Sequence, residues 1–385
     1  GNVESYYYNS LNQMIATVDK DNNLHYYDYD PAGNVIRERI YAETPATDMQ
    51  KIQQALNDTG KEYRELTYTY DSANRQTGST TAEVALFSFE KGYYTAAITT
   101  KSEYDLNGNL IKATDGNGNS VYNFYDSVDR LRLTVDATGT IVGYDNYDAF
   151  DNVGREIRYA NTLTQSDLAN ISTSSDINAL IAMVGGNDAE DNRIVTYTYD
   201  ALNRKQSESR FGIDMSIVSE AGEKTDYSGA IVTTELSYDE NGNVTEQKKY
   251  ATVNGAAVGE TEITRFTYDA LNRAILQETP EYTDYQGSTV RQRTKCVYDF
   301  NDNVVLEQNL NKNGYAVKEK QYTYENNLLV RTTGYDGDLS YSYNGDGKVS
   351  LITDNITGDI TRVEYDAFGN ETKRIINNEY SQETI

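Results

Sequence analysis

VTYTYDALNRKQSESR, residues 195–210, and FTYDALNRAILQE, residues 266–278, share the heptapeptide TYDALNR. The residues before the shared Asp alternate. Period two puts Val195, Tyr197 and Tyr199 on one face of a strand. The Asp after Tyr accepts from the backbone two residues on and starts a turn. Asn or Gly then takes the left-handed conformation that other residues resist. A second strand follows. The heptapeptide is therefore the corner of a β-hairpin.

The corner recurs along the chain. Clear copies stand at Tyr29-Asp30, Tyr70-Asp71, Tyr104-Asp105, Tyr125-Asp126 and Tyr147-Asp148. Five more stand at Tyr199-Asp200, Tyr238-Asp239, Tyr268-Asp269, Tyr298-Asp299 and Tyr365-Asp366. Looser copies begin at Tyr8, Tyr324 and Tyr343. The shorter spacings cluster near 21 residues, enough for strand, turn, strand, turn. Asn107-Gly108 and Asn241-Gly242 are hairpin signals. A lone hairpin is marginal in water, so such units lean on their neighbours. The expected fold is all-β: a ribbon of hairpins paired side by side, which twists and curls into a curved or spiral wall.

The two widest gaps read as helical inserts, near 47–59 and 164–184. In the first, Thr47 is the expected N-cap, Met49, Ile52 and Leu56 the apolar stripe, and Gly60 the stop. In the second, Ser166 and Ser175 are the expected caps of two short helices, and Gly185-Gly186 the stop. Their apolar faces are expected to pack on the sheet or plug an edge. Residues 1–385 read as one continuous array. It starts and ends in mid-pattern, as a piece of a longer repeat protein would.

Composition narrows the function. The chain has 34 Lys plus Arg against 60 Asp plus Glu, a formal charge of −26. That field repels phosphate backbones and anionic lipid, which argues against nucleic-acid and acidic-membrane partners. Tyr outnumbers Phe 35 to 8 and Trp is absent, so the surfaces are wet at one edge. No apolar run approaches the roughly 20 residues of a membrane helix. A single cysteine, Cys296, excludes an intrachain disulfide and reads as a half-buried strand residue. The single histidine, His25, has no second histidine or cysteine cluster to make a catalytic or metal site, and reads as a strand residue. Carboxylates are plentiful, but most fall at turns or on strand faces. No catalytic residue and no cofactor is expected.

Calcium is the sharpest chemical candidate. Asp115, Asn117, Asn119 and Asp126 follow the rhythm of an EF-hand loop. Ser120 stands where that loop needs Gly, and no helices flank it. The same rhythm arises wherever an Asp-rich turn precedes the next Tyr-Asp, so a plain hairpin turn is the stronger reading. The tyrosine rows could also stack sugar rings, although packing on neighbouring strands accounts for them.

The corners resemble the YD repeats of the RHS family, from Gly1 to about Arg374. Members include bacterial RHS and polymorphic toxins, toxin-complex B and C components, wall-associated proteins and teneurins. The resemblance implies a β ribbon spiralling into a hollow shell. In toxin members the shell encloses a toxic domain; in teneurins it is an adhesion scaffold. The Asp-Pro- and Gly-rich region that closes toxin shells, and its aspartyl protease residues, have no counterpart near the C-terminus. Asp30-Pro31 lies at the other end. The implied role is a non-catalytic, secreted or surface-exposed bacterial shell segment that encloses or presents another domain of the same chain. The alternative is an extracellular module for adhesion or carbohydrate binding.

Overall fold

The computed structural model describes residues 4–20, 22–42, 48–58, 60, 62–187, 191–219, 222–283, 287–366, 369–376 and 380–383. It is an antiparallel hairpin ribbon with few helices, as the alternation predicts. The chain forms two compact units. One comprises Gly1–Tyr104, Lys112–Ser120 and Thr323–Ile385; the other comprises Asp105–Ile111 and Val121–Tyr322.

The first unit opens with β1 (Ser5–Tyr8), β2 (Met14–Val18), β3 (Leu24–Tyr29) and β4 (Val35–Tyr41). Each pairs antiparallel with the next. Then come α1 (Met49–Asn57), β5 (Tyr63–Tyr70) and β6 (Gln76–Thr81). β5 pairs with β4 across the helical insert. β7 (Val84–Ser88) and β8 (Gly92–Ala96) form a separate two-stranded hairpin before β9 (Thr99–Tyr104) returns to pair with β6.

α1 lays Ile52 and Ala55 on Ala16, Val18, Leu24 and Tyr41, all buried. This is the sheet face opposite the motif tyrosine Tyr29. Asp48 caps the helix by accepting from Lys51 N. The expected cap, Thr47, lies outside the described residues. The helix stops at Asn57, and the Asp58 N–H closes its last turn on Ala55 O, ahead of the expected stop at Gly60.

In the second unit, hairpin strands run from Val121 to Tyr322 with two helices inserted. α2 (Gln165–Leu168) is capped by Thr164, whose hydroxyl and backbone exchange bonds with Asp167. α3 (Ile177–Met183) is capped by Asp176, which accepts from Ala179 N. The expected caps Ser166 and Ser175 are thus corrected. Ser166 lies inside α2, because Thr164 with Asp167 completes a capping box that Ser166 lacks. Ser175 Oγ instead accepts from Ser172 N. Gly185 and Gly186 end α3 as expected, with φ of 98° and 80°. Leu180 and Val184 pack on Phe124, Leu133, Val135, Ile141 and Ile157.

Some hairpins of this unit are long. Lys205–Val218 pairs with Lys224–Tyr238, and Val244–Val253 with Ala256–Tyr268. Their extra length lies at the edge away from the Tyr-Asp corners. That edge is also where the helical inserts and β7–β8 enter. Sequence length therefore varies at one edge of the ribbon, and the corners hold the other.

Candidate functional site

The repeated corner is the feature this chain builds most often. At Asp239 the backbone closes twice: Asp239 N donates to Asn243 O at 3.0 Å, and Gly242 N donates to Asp239 O at 3.2 Å. The carboxylate takes the remaining donors. Oδ1 accepts from Asn241 N at 3.0 Å and Asn243 N at 2.8 Å, and Oδ2 accepts from Asn243 Nδ2 at 2.9 Å. The residue three after Asp is left-handed: Gly242 here (φ 89°), Gly108 (φ 100°), Asn203 (φ 64°) and Asn272 (φ 63°) elsewhere. At Asn107-Gly108 only the glycine has positive φ, so the signal is realised as a three-residue loop and not as a two-residue turn with both central residues left-handed.

The motif tyrosine does a second job. Just before it the register shifts, and the tyrosine pairs with the residue six positions on. Its hydroxyl then reaches back to the corresponding residue of the preceding corner. Tyr29 donates to Met14 O at 2.7 Å, Tyr70 to Val35 O at 2.8 Å and Tyr125 to Leu110 O at 3.1 Å. Tyr238 donates to Lys205 O at 2.6 Å, Tyr268 to Val244 O at 2.9 Å and Tyr298 to Ala274 O at 2.7 Å. Tyr104, Tyr147, Tyr199, Tyr343 and Tyr365 make the same bond to Gln76, Leu131, Val153, Leu329 and Val349. Partial burial raises the hydroxyl pKa of Tyr70, Tyr125, Tyr199 and Tyr268 above the ordinary 10.0.

The last residue of each corner supplies a third link. Where it is Asn, its amide crosses to the left-handed residue of the next corner. Asn34 reaches Asn74 at 2.9 Å, Asn109 reaches Asp129 at 2.8 Å, and Asn243 reaches Asn272 at 2.8 Å. Where it is Arg, the guanidinium holds its own Asp and lies over the next motif tyrosine. Arg75 stacks on Tyr104 at 4.8 Å, Arg130 on Tyr147 at 4.8 Å, Arg204 on Tyr238 at 4.4 Å and Arg273 on Tyr298 at 4.9 Å. Side-chain hydrogen bonds from the residue four ahead hold the carboxyls of Asp30, Asp200, Asp239 and Asp299 below the ordinary 3.8.

A further row went unread in the sequence. Glu38 stands opposite Tyr27 and accepts from Tyr68 at 3.3 Å; Glu156 stands opposite Tyr144 and accepts from Tyr197 at 3.4 Å. Glu307 stands opposite Cys296 and accepts from Tyr322 at 3.3 Å. Each Glu lies nine residues after a motif tyrosine, and that spacing was the available signal. Burial, then Glu156, pushes the Tyr197 hydroxyl up to about 12.

The calcium candidates are already engaged in turns. Asp115 accepts from Asn117 N, Asn119 N and the Asn119 amide. Asp126 accepts from Val128 N, Arg130 N and the Arg130 guanidinium. Among the described residues, no group of three or more His, Cys, Asp or Glu is placed to hold a metal ion. His25 lies on β3 with Nδ1 3.3 Å from Glu38 Oε1 and Nε2 3.9 Å from Asp19 Oδ2. Cys296 is a half-buried strand residue with a free thiol. No helix of the described residues is long and apolar enough to cross a membrane.

No protein-family model matches the chain. Over 198 residues it is 26% identical to the tRNA3(Ser)-specific nuclease WapA of Bacillus spizizenii, covering 48% of this chain and 8% of that protein. Over 199 residues it is 27% identical to the tRNA nuclease WapA of Bacillus subtilis, with the same coverage, 48% and 8%. The chain thus spans less than a tenth of the curated relatives it matches. Among solved structures, it is similar to a chain of the Photorhabdus luminescens Tc holotoxin pore, with TM-score 0.41 and 13% identity over 99% of this chain and 22% of that one. It is also similar to a chain of the TcdB2–TccC3–TEV crystal structure, with TM-score 0.39 and 14% identity over 98% of this chain and 23% of that one.

Proposed function

We propose that this chain, whose repeats fit the RHS/YD family, is a wall segment: a non-catalytic stretch of ribbon that encloses or presents another domain of a longer protein. One observation carries the reading. The side chains repeated most often, the motif Tyr, Asp and Asn or Arg, spend their polar groups on bonds within a corner or to a neighbouring one. Chemistry that recurs in this way serves the ribbon itself.

The nuclease relatives fit the same reading. Cleavage of tRNA belongs to proteins of which this chain matches 8%. A surface of net charge −26 is poorly suited to hold tRNA. The array would carry or screen such an activity and not perform it. The expected location is outside a bacterial cell, secreted or on its surface.

Limited proteolysis of the longer protein tests the role. The domain joined to the array should resist protease while the ribbon is folded and become cleavable at the denaturant concentration that unfolds the ribbon. Cleavage at one rate with the array folded, unfolded or deleted would refute enclosure.

A second reading, carbohydrate binding, is favoured by the aromatic face of β7–β8. Phe87, Phe89 and Tyr93 are 56%, 100% and 82% exposed there. A glycan array of neutral and acidic sugars tests it. Binding that vanishes in F89A/Y93A supports this reading, and the absence of any binding by the folded chain rejects it.

A further inference from the structure

The two long hairpins of the second unit do not run straight. Lys205–Val218 slips register against Lys224–Tyr238 on both sides of Ile213, and there Gly212 and Gly229 hold φ of 70° and 66°. In Ala256–Tyr268, residues 259–261 stand opposite the single Tyr250, and Gly259 holds φ at 70°. Extra residues with a left-handed glycine bend a strand. The bend here is large. Ile217 Cδ1 lies 2.9 Å from the place a Cβ on Gly259 would take. The two residues belong to strands separated by two others, so a flat sheet would hold them at least about 14 Å apart. The arm is therefore curled over its neighbour.

The curl borders a cleft of about 810 Å³, inside the range of small-molecule sites. Val232, Ala251 and Val258, paired in turn across three strands, form its floor. Met215 and Ile217 border it on the side of the arm, and Pro280 borders it on the other. Thr279 N donates to Gln292 O at 2.9 Å and pins that second wall. Were the bend only a packing device, these apolar residues would be covered. Met215, Ile217, Val232, Val258 and Pro280 are instead only half-buried.

The charges around this apolar floor are unequal. Three carboxylates line the cleft, Glu260, Glu262 and Glu281, against one cation, Lys249. Lys249 pairs with Glu262 at 3.3 Å, and Arg291 holds Glu281. Among the described residues Glu260 makes no ion pair. It sits in the bulge itself, and the two extra residues keep it on the face of Val258 and Glu262.

We infer that this cleft binds a small organic cation with an apolar body, an aryl- or branched alkylamine. The floor and walls take the body out of water. The Glu260 carboxylate takes the ammonium as a charge-assisted hydrogen bond. The chain's charge of −26 raises the local concentration of such cations and turns anions away. A neutral analogue gains the apolar contact alone, and an acid meets three carboxylates.

Titration of the 385-residue chain, followed by ligand NMR, tests this with phenethylamine, 2-phenylethanol, 3-phenylpropionate and ethylamine. The expected order is phenethylamine first, the alcohol weaker, and no saturable binding of the acid or of ethylamine, which lacks the apolar body. E260Q should weaken phenethylamine about three- to tenfold and leave the alcohol unchanged, because the group sits at an exposed mouth. V258W, which fills the floor, should abolish both. Circular dichroism and urea midpoints check that each variant folds, and E260Q carries the test by itself if V258W does not. No saturable binding of phenethylamine up to about 10 mM, weaker than a ligand of this size reaches in a formed pocket, overturns the proposal. So does an alcohol or acid that binds as well as the amine, or an amine affinity that E260Q leaves unchanged.

Discussion

Tyr268 donates its hydroxyl bond to the carbonyl of Val244 at 2.9 Å, and Val244 is the residue paired across the hairpin with the preceding motif tyrosine, Tyr238. Each motif tyrosine thereby senses the register of the hairpin before it. A slip of one residue would turn that carbonyl away. Y268F should lower stability by about 0.5–1.5 kcal/mol, the net worth of one hydrogen bond. Y282F, at an exposed tyrosine outside the motif, should change little. Urea denaturation of both variants checks this, and equal losses would contradict the role given to the hydroxyl.

Asn272 holds φ at 63° and accepts from Asn243 of the preceding corner. A β-branched side chain is strained there. N272V should cost about 1–2 kcal/mol or more. N272G keeps the backbone and loses only the acceptor, so it should cost less. Thermal melting that ranks the two the other way would show that the bond between corners outweighs the turn conformation.

Leu180 on α3 is buried against Leu133 and Ile157. L180A should cost about 2–4 kcal/mol through the cavity it leaves. L202A, at an exposed corner, should stay within about 0.5 kcal/mol. Hydrogen exchange should place the L180A loss in the strands under the helix, Leu131–Val135 and Ile141–Asp145. Loss spread evenly over the chain would argue that the insert does not act as a local lid.

The pH dependence should have two limbs. The corner carboxyls of Asp30, Asp200, Asp239 and Asp299 titrate below 3.8 because hydrogen bonds favour their charged form. The folded chain therefore binds fewer protons than the unfolded one in acid. This stability is complete above 3.8 and is lost as pH falls further. The hydroxyls of Tyr70, Tyr125, Tyr199 and Tyr268 titrate above 10.0 because burial disfavours the phenolate. Their contribution is complete below 10.0 and is lost as pH rises through the folded values. Denaturation midpoints should form a plateau from about pH 5 to 9 with a fall on each side. Y125F/Y268F should flatten the alkaline fall, and an unchanged slope would assign it to other groups.

The hairpin code was legible because its determinants are local. Asp239 and Asn243 are four residues apart, and the left-handed residue between them is Gly or Asn for a backbone reason. The caps of α2 and α3 were misread by one or two residues. Ser166 and Ser175 are good caps in isolation, but Thr164 has Asp167 three positions on and Asp176 carries a charge. The links between hairpins were not legible. Tyr70 and Val35, 35 residues apart, meet only once the insert between them has folded away. The same holds for Arg204 and Tyr238, because stacking partners are chosen by strand pairing and not by sequence distance.

The two edges of the ribbon carry unequal duties. Bonds between repeats gather at the Tyr-Asp corners, while some of the opposite hairpin ends, as at Asn254-Gly255, only reverse direction. That reversal is a natural splice point. A foreign peptide or small folded module grafted there would be displayed away from the bonds that hold neighbouring repeats in phase, and the ribbon could gain cargo by genetic insertion without redesign of its scaffold.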